Sequence, residues 1–342
     1  ISKQKEQYKL VNYVSTEIPE GLFEEGKIVD KSGLAELIKS ILAQNKINSQ
    51  QVAVAVPLRE AIIRNIAVPA ELDAEELADT VLNLEAPLYL PYEREEVDLD
   101  FQKLDYFLDE DGIEKINVLL VATRREVTDL YVATMEEAGL SIDVLEINSF
   151  ALMRTIKEQL RQFGSSEAVV LVNIEFDTTE ISIIVDGVPQ YSRTIPIGTF
   201  QLQAELSRAM NLPLARNTEL LQEITVEVPE TQNPQGTTTG VTWINPGMAA
   251  LLRILGELSD EIGRSINFYL NQSGDLEIAQ LLLAGSGGGL GKLDEFFSQR
   301  LNIPTIQIDP LAALALDNNS KSIPANVRPG LGTVLGLGLR EV

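Results

Sequence analysis

The sequence predicts an α/β protein made of two similar halves, and three observations carry that reading. Segments with strand-like patterns and segments with helical spacing of apolar residues follow one another twice along the chain. A short apolar strand in the second half runs into an unbroken Gly/Ser stretch, Gly285-Ser286-Gly287-Gly288-Gly289. An internal echo also links the halves, since Ser15 to Gly21 and Ser192 to Gly198 both read S-x-x-I-P-x-G. The 342 residues suffice for about two domains with a substantial core.

In the first half, Tyr8–Ile18 alternates as a strand and stops at the turn Pro19-Glu20-Gly21. Gly33–Gln44 has the Leu and Ile spacing of a helix, with Ser32 as the expected N-cap. Val52–Val56 and Ala61–Val68 are β-branched runs closed by Pro57 and Pro69, and read as neighbouring strands. Leu72–Leu84 reads as an acidic amphipathic helix, with Asp73 where negative charge suits the helix dipole. Val97–Phe107 and Ile116–Ala122 alternate around the turn Asp109-Glu110-Asp111-Gly112. Val127–Ala138 is a helix stopped by Gly139.

The second half begins with strands at Val169–Ile174, Glu180–Val185 and Val188–Ile195. Asp186-Gly187 between the last two is a strong hairpin signal. Helices are expected at Phe200–Met210, Thr218–Ile224, Met248–Tyr269 and Leu290–Arg300, and a buried strand at Leu281–Ala284. Val226–Thr242, rich in Pro, Gly, Gln and Thr, reads as a flexible loop.

Composition excludes much chemistry. The chain has no cysteine, hence no disulfide, zinc finger, iron–sulfur cluster or thiol nucleophile. It has no histidine, hence no Ser-His-Asp triad and no imidazole ligand or base. The 27 basic and 51 acidic residues give a net charge of −24, which disfavours nucleic acid. The weakly charged stretches are Gly/Pro-interrupted and too short to span a bilayer. A cytoplasmic protein is expected. The chain opens at Ile1 without an initiator Met, so loss of an upstream segment, and of any sorting signal in it, is expected.

Four segments carry candidate chemistry. In Gly285–Gly289, backbone N–H groups could meet a ligand near a helix N-terminus, or the glycines could simply make a tight turn. In Asn173-Ile174-Glu175-Phe176-Asp177-Thr178-Thr179, Asp177 and Glu175 could hold Mg²⁺ and the threonines meet phosphate, or the segment is an acidic β-turn. Arg264 could stack on a planar base, or be solvated on a helix face. Leu82–Tyr92, apolar between acidic flanks, could receive a peptide or be a buried helix end.

Together these segments resemble the PilM family, the cytoplasmic actin-like components of type IV pilus assembly and relatives of FtsA. The resemblance runs through nearly the whole chain. It is carried by VAVAVPLREAIIRNIAVPAEL (52–72), EAPLYLPYEREEVDLDFQKLD (85–105), LLVATRREVTDLYVATMEEAGL (119–140), SRTIPIG (192–198), EIGRSINFY (261–269), LLLAGSGGGLGKLDEFF (281–297) and GLGLRE (336–341).

The resemblance implies an actin-like ATPase fold of the Hsp70/FtsA type, with two lobes, duplicated α/β cores and an FtsA-like repositioned small subdomain. It implies a first-lobe core at 1–28 and 121–163, with the small subdomain at 29–120 between them. The second-lobe core would fill 164–205 and 279–325, its small subdomain 206–278, and a C-terminal helix at 326–342 would return to the first lobe. It further implies binding of the N-terminal cytoplasmic tail of PilN, with Leu84, Leu88, Tyr89, Leu90 and Tyr92 as expected contacts. ATP with Mg²⁺ would be the cofactor, near Gly285, Ser286, Gly287, Gly288, Arg264, Asn173, Thr178 and Thr179.

The residues depart from the family's phosphate pattern. Asn173 and Glu175 stand where an Asp and a Gly are usual, and Asn148 where relatives carry an acid. Glu in place of Gly adds negative charge facing phosphate, and Asn cannot act as a general base. Hydrolysis is therefore expected to be weak or lost, with no catalytic residue and no protein-held metal. The expected function is an adaptor that links the pilus platform to its motor, held at the inner membrane through its partner because −24 opposes anionic lipid. The alternatives are an active ATPase switch and a filament-forming protein.

Overall fold

The computed structural model describes residues 1–4, 7–214, 219–222, 224–226, 245–274, 276–316 and 323–340. The chain divides into two compact units, Tyr13–Ala151 with Arg340–Val342, and Ile1–Asn12 with Leu152–Leu339. Segment 326–339 thus groups with the later unit.

At the start, β1 (Ser2–Gln4) and β2 (Gln7–Lys9) form an antiparallel ladder. The strand expected to reach Ile18 stops at Lys9. Val11 is 67% and Ile18 44% exposed, so no sheet covers the alternation that suggested a strand.

In the Tyr13–Ala151 unit, β3 (Phe23–Glu24) and β4 (Lys27–Ile28) turn through Glu25 and Gly26, both left-handed. Helix α1 (Lys31–Gln44) is capped by Asp30, which accepts the Gly33 N–H at 3.0 Å. Ser32 is not the cap, because the helix already begins at Lys31 and Asp30 precedes it. Ser32 and Lys31, the latter at 3.0 Å, hold the Glu137 carboxyl below its usual range.

Strands β5 (Gln51–Val56) and β6 (Ala61–Pro69) are separated by Pro57 and a 3₁₀ turn, Leu58–Glu60. There follow α2 (Ala74–Asp79), a π-helical turn Thr80–Glu85, α3 (Ala86–Tyr89), β7 (Val97–Leu108), β8 (Glu114–Arg124), α4 (Arg125–Glu137) and β9 (Ser141–Ile147). The expected pairing of β5 with β6 does not occur. The 3₁₀ turn redirects the chain, so β5 pairs in parallel with β9 while β6 joins a sheet of order β6-β8-β7.

The helix expected to end at Leu84 continues to Tyr89. Asp73 starts it with a capping box to Glu76. Leu77, Val81 and Ala86 are buried and Leu90 packs on the same core. Their spacing of four, five and four reflects the π turn, which absorbs one extra residue and keeps a single stripe against the sheet. Leu84 and Leu88 are left outside.

Helix α5 (Asn148–Thr155), within which the boundary between the units falls, and α6 (Lys157–Leu160) lead into β10 (Glu167–Ile174), β11 (Thr179–Val185) and β12 (Val188–Ile195) of the later unit. Asp186 and Gly187 are both left-handed, as the hairpin signal required. Next come α7 (Thr199–Met210), α8 (Glu219–Gln222), α9 (Pro246–Leu270), β13 (Glu277–Ala284), α10 (Leu293–Leu301), β14 (Thr305–Gln307), α11 (Pro310–Ala313) and α12 (Gly332–Gly338). Most of the expected loop 226–242 lies outside the described residues.

The five-stranded sheet has the order β12-β11-β10-β13-β14. Central β10 is buried almost throughout, which is why its sequence is a continuous apolar run without alternation. Both units contain a parallel strand–helix–strand pair, β13–α10–β14 and β5…α4–β9, the second interrupted by residues 61–124. The S-x-x-I-P-x-G echo has no such counterpart. Gly21 is left-handed with open space around it, whereas Gly198 is extended and wedged between backbone atoms of Glu175, Phe176 and Thr178. Among the described residues no helix is long and apolar enough to cross a membrane.

Candidate functional site

The glycine run lies at the end of β13, beside the end of β10. Gly285 has φ +79°, and a Cβ there would fall 2.3 Å from the Ile174 carbonyl oxygen. At Gly289 a Cβ would fall 1.8 Å from the Asn326 carbonyl oxygen. Glycine is required here by close approach of the chain to itself.

Several of the loop amides are engaged. Gly285 N–H donates to Pro329 O at 3.1 Å, Gly287 to Ile174 O at 2.9 Å and Gly288 to Gly285 O at 3.1 Å. Of the five residues only Ser286 is exposed. Thr199, Leu221, Gln222, Ser286, Gly289, Leu290 and Asn326 line a pocket of about 10 Å³, room for a single water. Helix α10 starts only at Leu293, so the glycines do not open directly onto it.

Next to this loop sits a polar cluster at the β10–β11 end. Asn173 is 3% exposed and donates from Nδ2 to Glu180 Oε2 at 3.0 Å, while its Oδ1 is buried without a partner. Burial, reinforced by the Glu180 charge, pushes the Glu175 carboxyl up to about 7, against the opposing hydrogen bond from Asn173. Thr179 is fully buried and its hydroxyl donates to Ile197 O at 2.6 Å. Thr178 is half-buried, its carbonyl accepting the Glu175 N–H. The Thr199 hydroxyl is buried without a partner.

The fold thus brings Asn173, Gly285 and Gly287 together. Arg264 lies on α9, where it pairs with Glu261. Glu261 also receives Arg193 at 2.9 Å, and Arg264 is the main cause that its carboxyl sits below the usual range. Against an ATP–Mg²⁺ group the cluster presents two acidic side chains, Glu175 and Glu180, and several engaged amides. These residues fit a polyphosphate poorly, and no catalytic step follows from them. Among the described residues no group of His, Cys, Asp and Glu could hold a metal.

In the Tyr13–Ala151 unit, the five residues expected to meet a peptide divide. Leu84 is 62%, Leu88 75%, Tyr89 41% and Tyr92 39% exposed, an apolar face beside the π turn. Leu90 instead packs into the core.

A second feature there was not visible in the sequence. A groove of about 380 Å³ lies between β7, β8, β5, β9 and Phe150, and none of residues 84–92 lines it. In the register, Asp98 lies opposite Thr123, and Asp100 opposite Val121. Those β7 acids therefore share a face with Leu119, Val121 and Thr123, while Leu99 and Phe101 pack toward α2 and α3. The opposite wall is apolar, from Val56, Leu145, Ile147 and Phe150.

Charge at the groove is partly matched. Arg125 pairs with Asp98 at 3.2 Å and Arg340 with Glu146 at 3.1 Å, while among the described residues the Asp100 carboxylate accepts only the Phe101 N–H at 2.8 Å. Strand β7 is an edge, with no strand paired along one side among the described residues. The V-D-L-D-F-Q alternation was the available signal, but the opposite wall comes from strands remote in sequence.

A family model described as type IV pilus assembly protein PilM matches residues 1–342. Among solved structures, a PilM–PilN type IV pilus biogenesis complex matches with a TM-score of 0.78 at 24% identity, over 96% of this chain and 90% of that one. The ethanolamine utilization protein EutJ from Carboxydothermus hydrogenoformans matches with a TM-score of 0.50 at 14% identity, over 93% of this chain and 77% of that one.

Proposed function

The chain belongs to the PilM family of type IV pilus assembly proteins and has an actin-like ATPase fold, and from that premise we propose that it is an adaptor for an extended partner tail. The partner is the cytoplasmic tail of a PilN-type protein. One observation carries the reading: a groove with an apolar wall, an acidic face and a free strand edge, in a chain whose structural likeness is to a protein assembled with PilN. An extended peptide adds main-chain hydrogen bonds to such an edge and places alternate side chains in pockets. Asp100 favours a basic residue in the tail, and Val56, Ile147 and Phe150 favour apolar ones.

The adaptor is cytoplasmic and reaches the inner membrane through this partner, linking the platform to its motor. Nucleotide, where bound near Gly285 and Asn173, is structural, and hydrolysis is weak or lost. The reading is supported by two acids, Glu175 and Glu180, lying beside Asn173. Hydrogen exchange of the full chain with and without a PilN-tail peptide tests it. Slowed exchange over Val97–Gln102 is expected, and unchanged exchange there with peptide bound elsewhere would overturn the groove assignment.

A further inference from the structure

At the end of the β6-β8-β7 sheet lies a pocket of about 290 Å³ lined by Lys27, Arg59, Arg124, Glu60, Tyr92 and Val97, among others. Its charge runs against that of the molecule. The chain as a whole has 51 acidic and 27 basic residues. Yet among the described residues none pairs with Lys27 or Arg59. Glu60, next to Arg59 in sequence, pairs with Arg124 instead, and Glu24, Glu25, Glu93, Glu95 and Glu96 make no ion pair with Lys27 or Arg59. Arg124 is matched, by Glu60 at 3.3 Å and by Glu126.

Two further arginines converge on the same strand end. Arg94 and Arg125 both donate to the Val97 carbonyl at 3.3 Å, and Arg94 Nε is buried with no partner. Arg94 and Arg125 do not line the pocket; within it Lys27 and Arg59 can offer an oxyanion short charge-assisted hydrogen bonds.

The two pocket arginines, Arg59 and Arg124, are also held in place before any ligand arrives. Gly26 turns at φ +78°, and a Cβ there would lie 2.5 Å from Arg59 Cδ. The Arg59 stem therefore lies across a bare backbone. The Tyr92 ring sits 6.0 Å from Arg124 Cζ, a cation–π contact that fixes the opposite wall. An arginine whose geometry is set beforehand loses less freedom on binding.

We propose that this pocket binds a small ligand bearing a multiply charged oxyanion, through Lys27, Arg59 and Arg124. The shared chemistry is that of a phosphate or of clustered carboxylates. The site belongs to the Tyr13–Ala151 unit, whereas the glycine loop belongs to the other.

The test is thermal unfolding of the full chain at low ionic strength, with inorganic pyrophosphate, with citrate, and with sodium chloride of matched ionic strength. A ligand of the folded state raises the midpoint in proportion to its occupancy. Pyrophosphate or citrate should raise it beyond the chloride control, and whichever acts more strongly identifies phosphate or carboxylate as the ligand class. The Lys27→Gln/Arg59→Gln variant removes no ion pair, and should weaken the apparent affinity at least about tenfold. Arg59→Lys, which keeps the charge but not the fork, should retain part of it. Absence of any rise above chloride would overturn the proposal. So would an undiminished rise in the double variant, which would place the anion elsewhere.

Discussion

Asn173 and Glu180 face each other across the β10–β11 ladder, joined side chain to side chain at 3.0 Å, and both are 3% exposed. The pair fills the end of the central strand with a neutral amide and a carboxylate. It also bears on Glu175, whose carboxyl is raised first by burial and then by the Glu180 charge, while the Asn173 hydrogen bond opposes both.

That coupling has a pH consequence. A carboxyl raised from 4.5 to about 7 binds a proton in the folded state that the unfolded chain has released. Stability should therefore fall as pH rises from about 4.5 through 7, by at most about 3 kcal/mol. Glu175→Gln should flatten this decline and be the more stable form at pH 8. Urea unfolding across pH would show it, and parallel curves for both proteins would refute it.

Glycine at 285 and 289 answers to the chain's own packing. Gly285→Ala combines φ +79° with a backbone clash and should cost more than about 1–3 kcal/mol. Gly289→Ala should be at least as severe. Gly187→Ala, also left-handed but with open space, should cost only about 1 kcal/mol. Equal midpoint changes for all three would contradict the packing argument.

Arg264 is held by Glu261 on α9. Phosphate release from ATP by the full chain should stay near background, with Arg264→Ala making no difference. Clear turnover that disappears in Arg264→Ala would instead favour an active ATPase.

The groove and the exposed face can be separated by substitution. Asp100→Lys reverses the charge on the groove face and should weaken partner-peptide binding at least about tenfold. Leu88→Gln, on a side chain 75% exposed, should alter stability by no more than about 0.5 kcal/mol and binding little. The reverse pattern would return the peptide to the Leu84–Tyr92 face.

Local signals served the sequence reading well. Asp186-Gly187 marked its hairpin, Gly139 ended α4, and the apolar spacing of 248–269 marked the long helix within a few residues. Pairings between distant segments were not legible. The run 52–56 looks ready to pair with 61–68, but its partner is Ser141–Ile147, and no local pattern carries that information. The groove and the cationic pocket were hidden for the same reason, since their walls meet only after the non-local strands pair. The glycine run was visible as a motif. Its role in packing was not, because the carbonyl that crowds Gly289 belongs to Asn326.

The central claim is that the chain captures an extended tail in the β7 groove, and a binding titration tests it most directly. A fluorescent peptide of the PilN N-terminal tail is titrated with the full chain and with its Asp100→Lys variant. Saturable binding at micromolar protein, weakened at least about tenfold by the substitution, is the predicted result. No binding at high micromolar concentration, or equal affinity for both proteins, would contradict it.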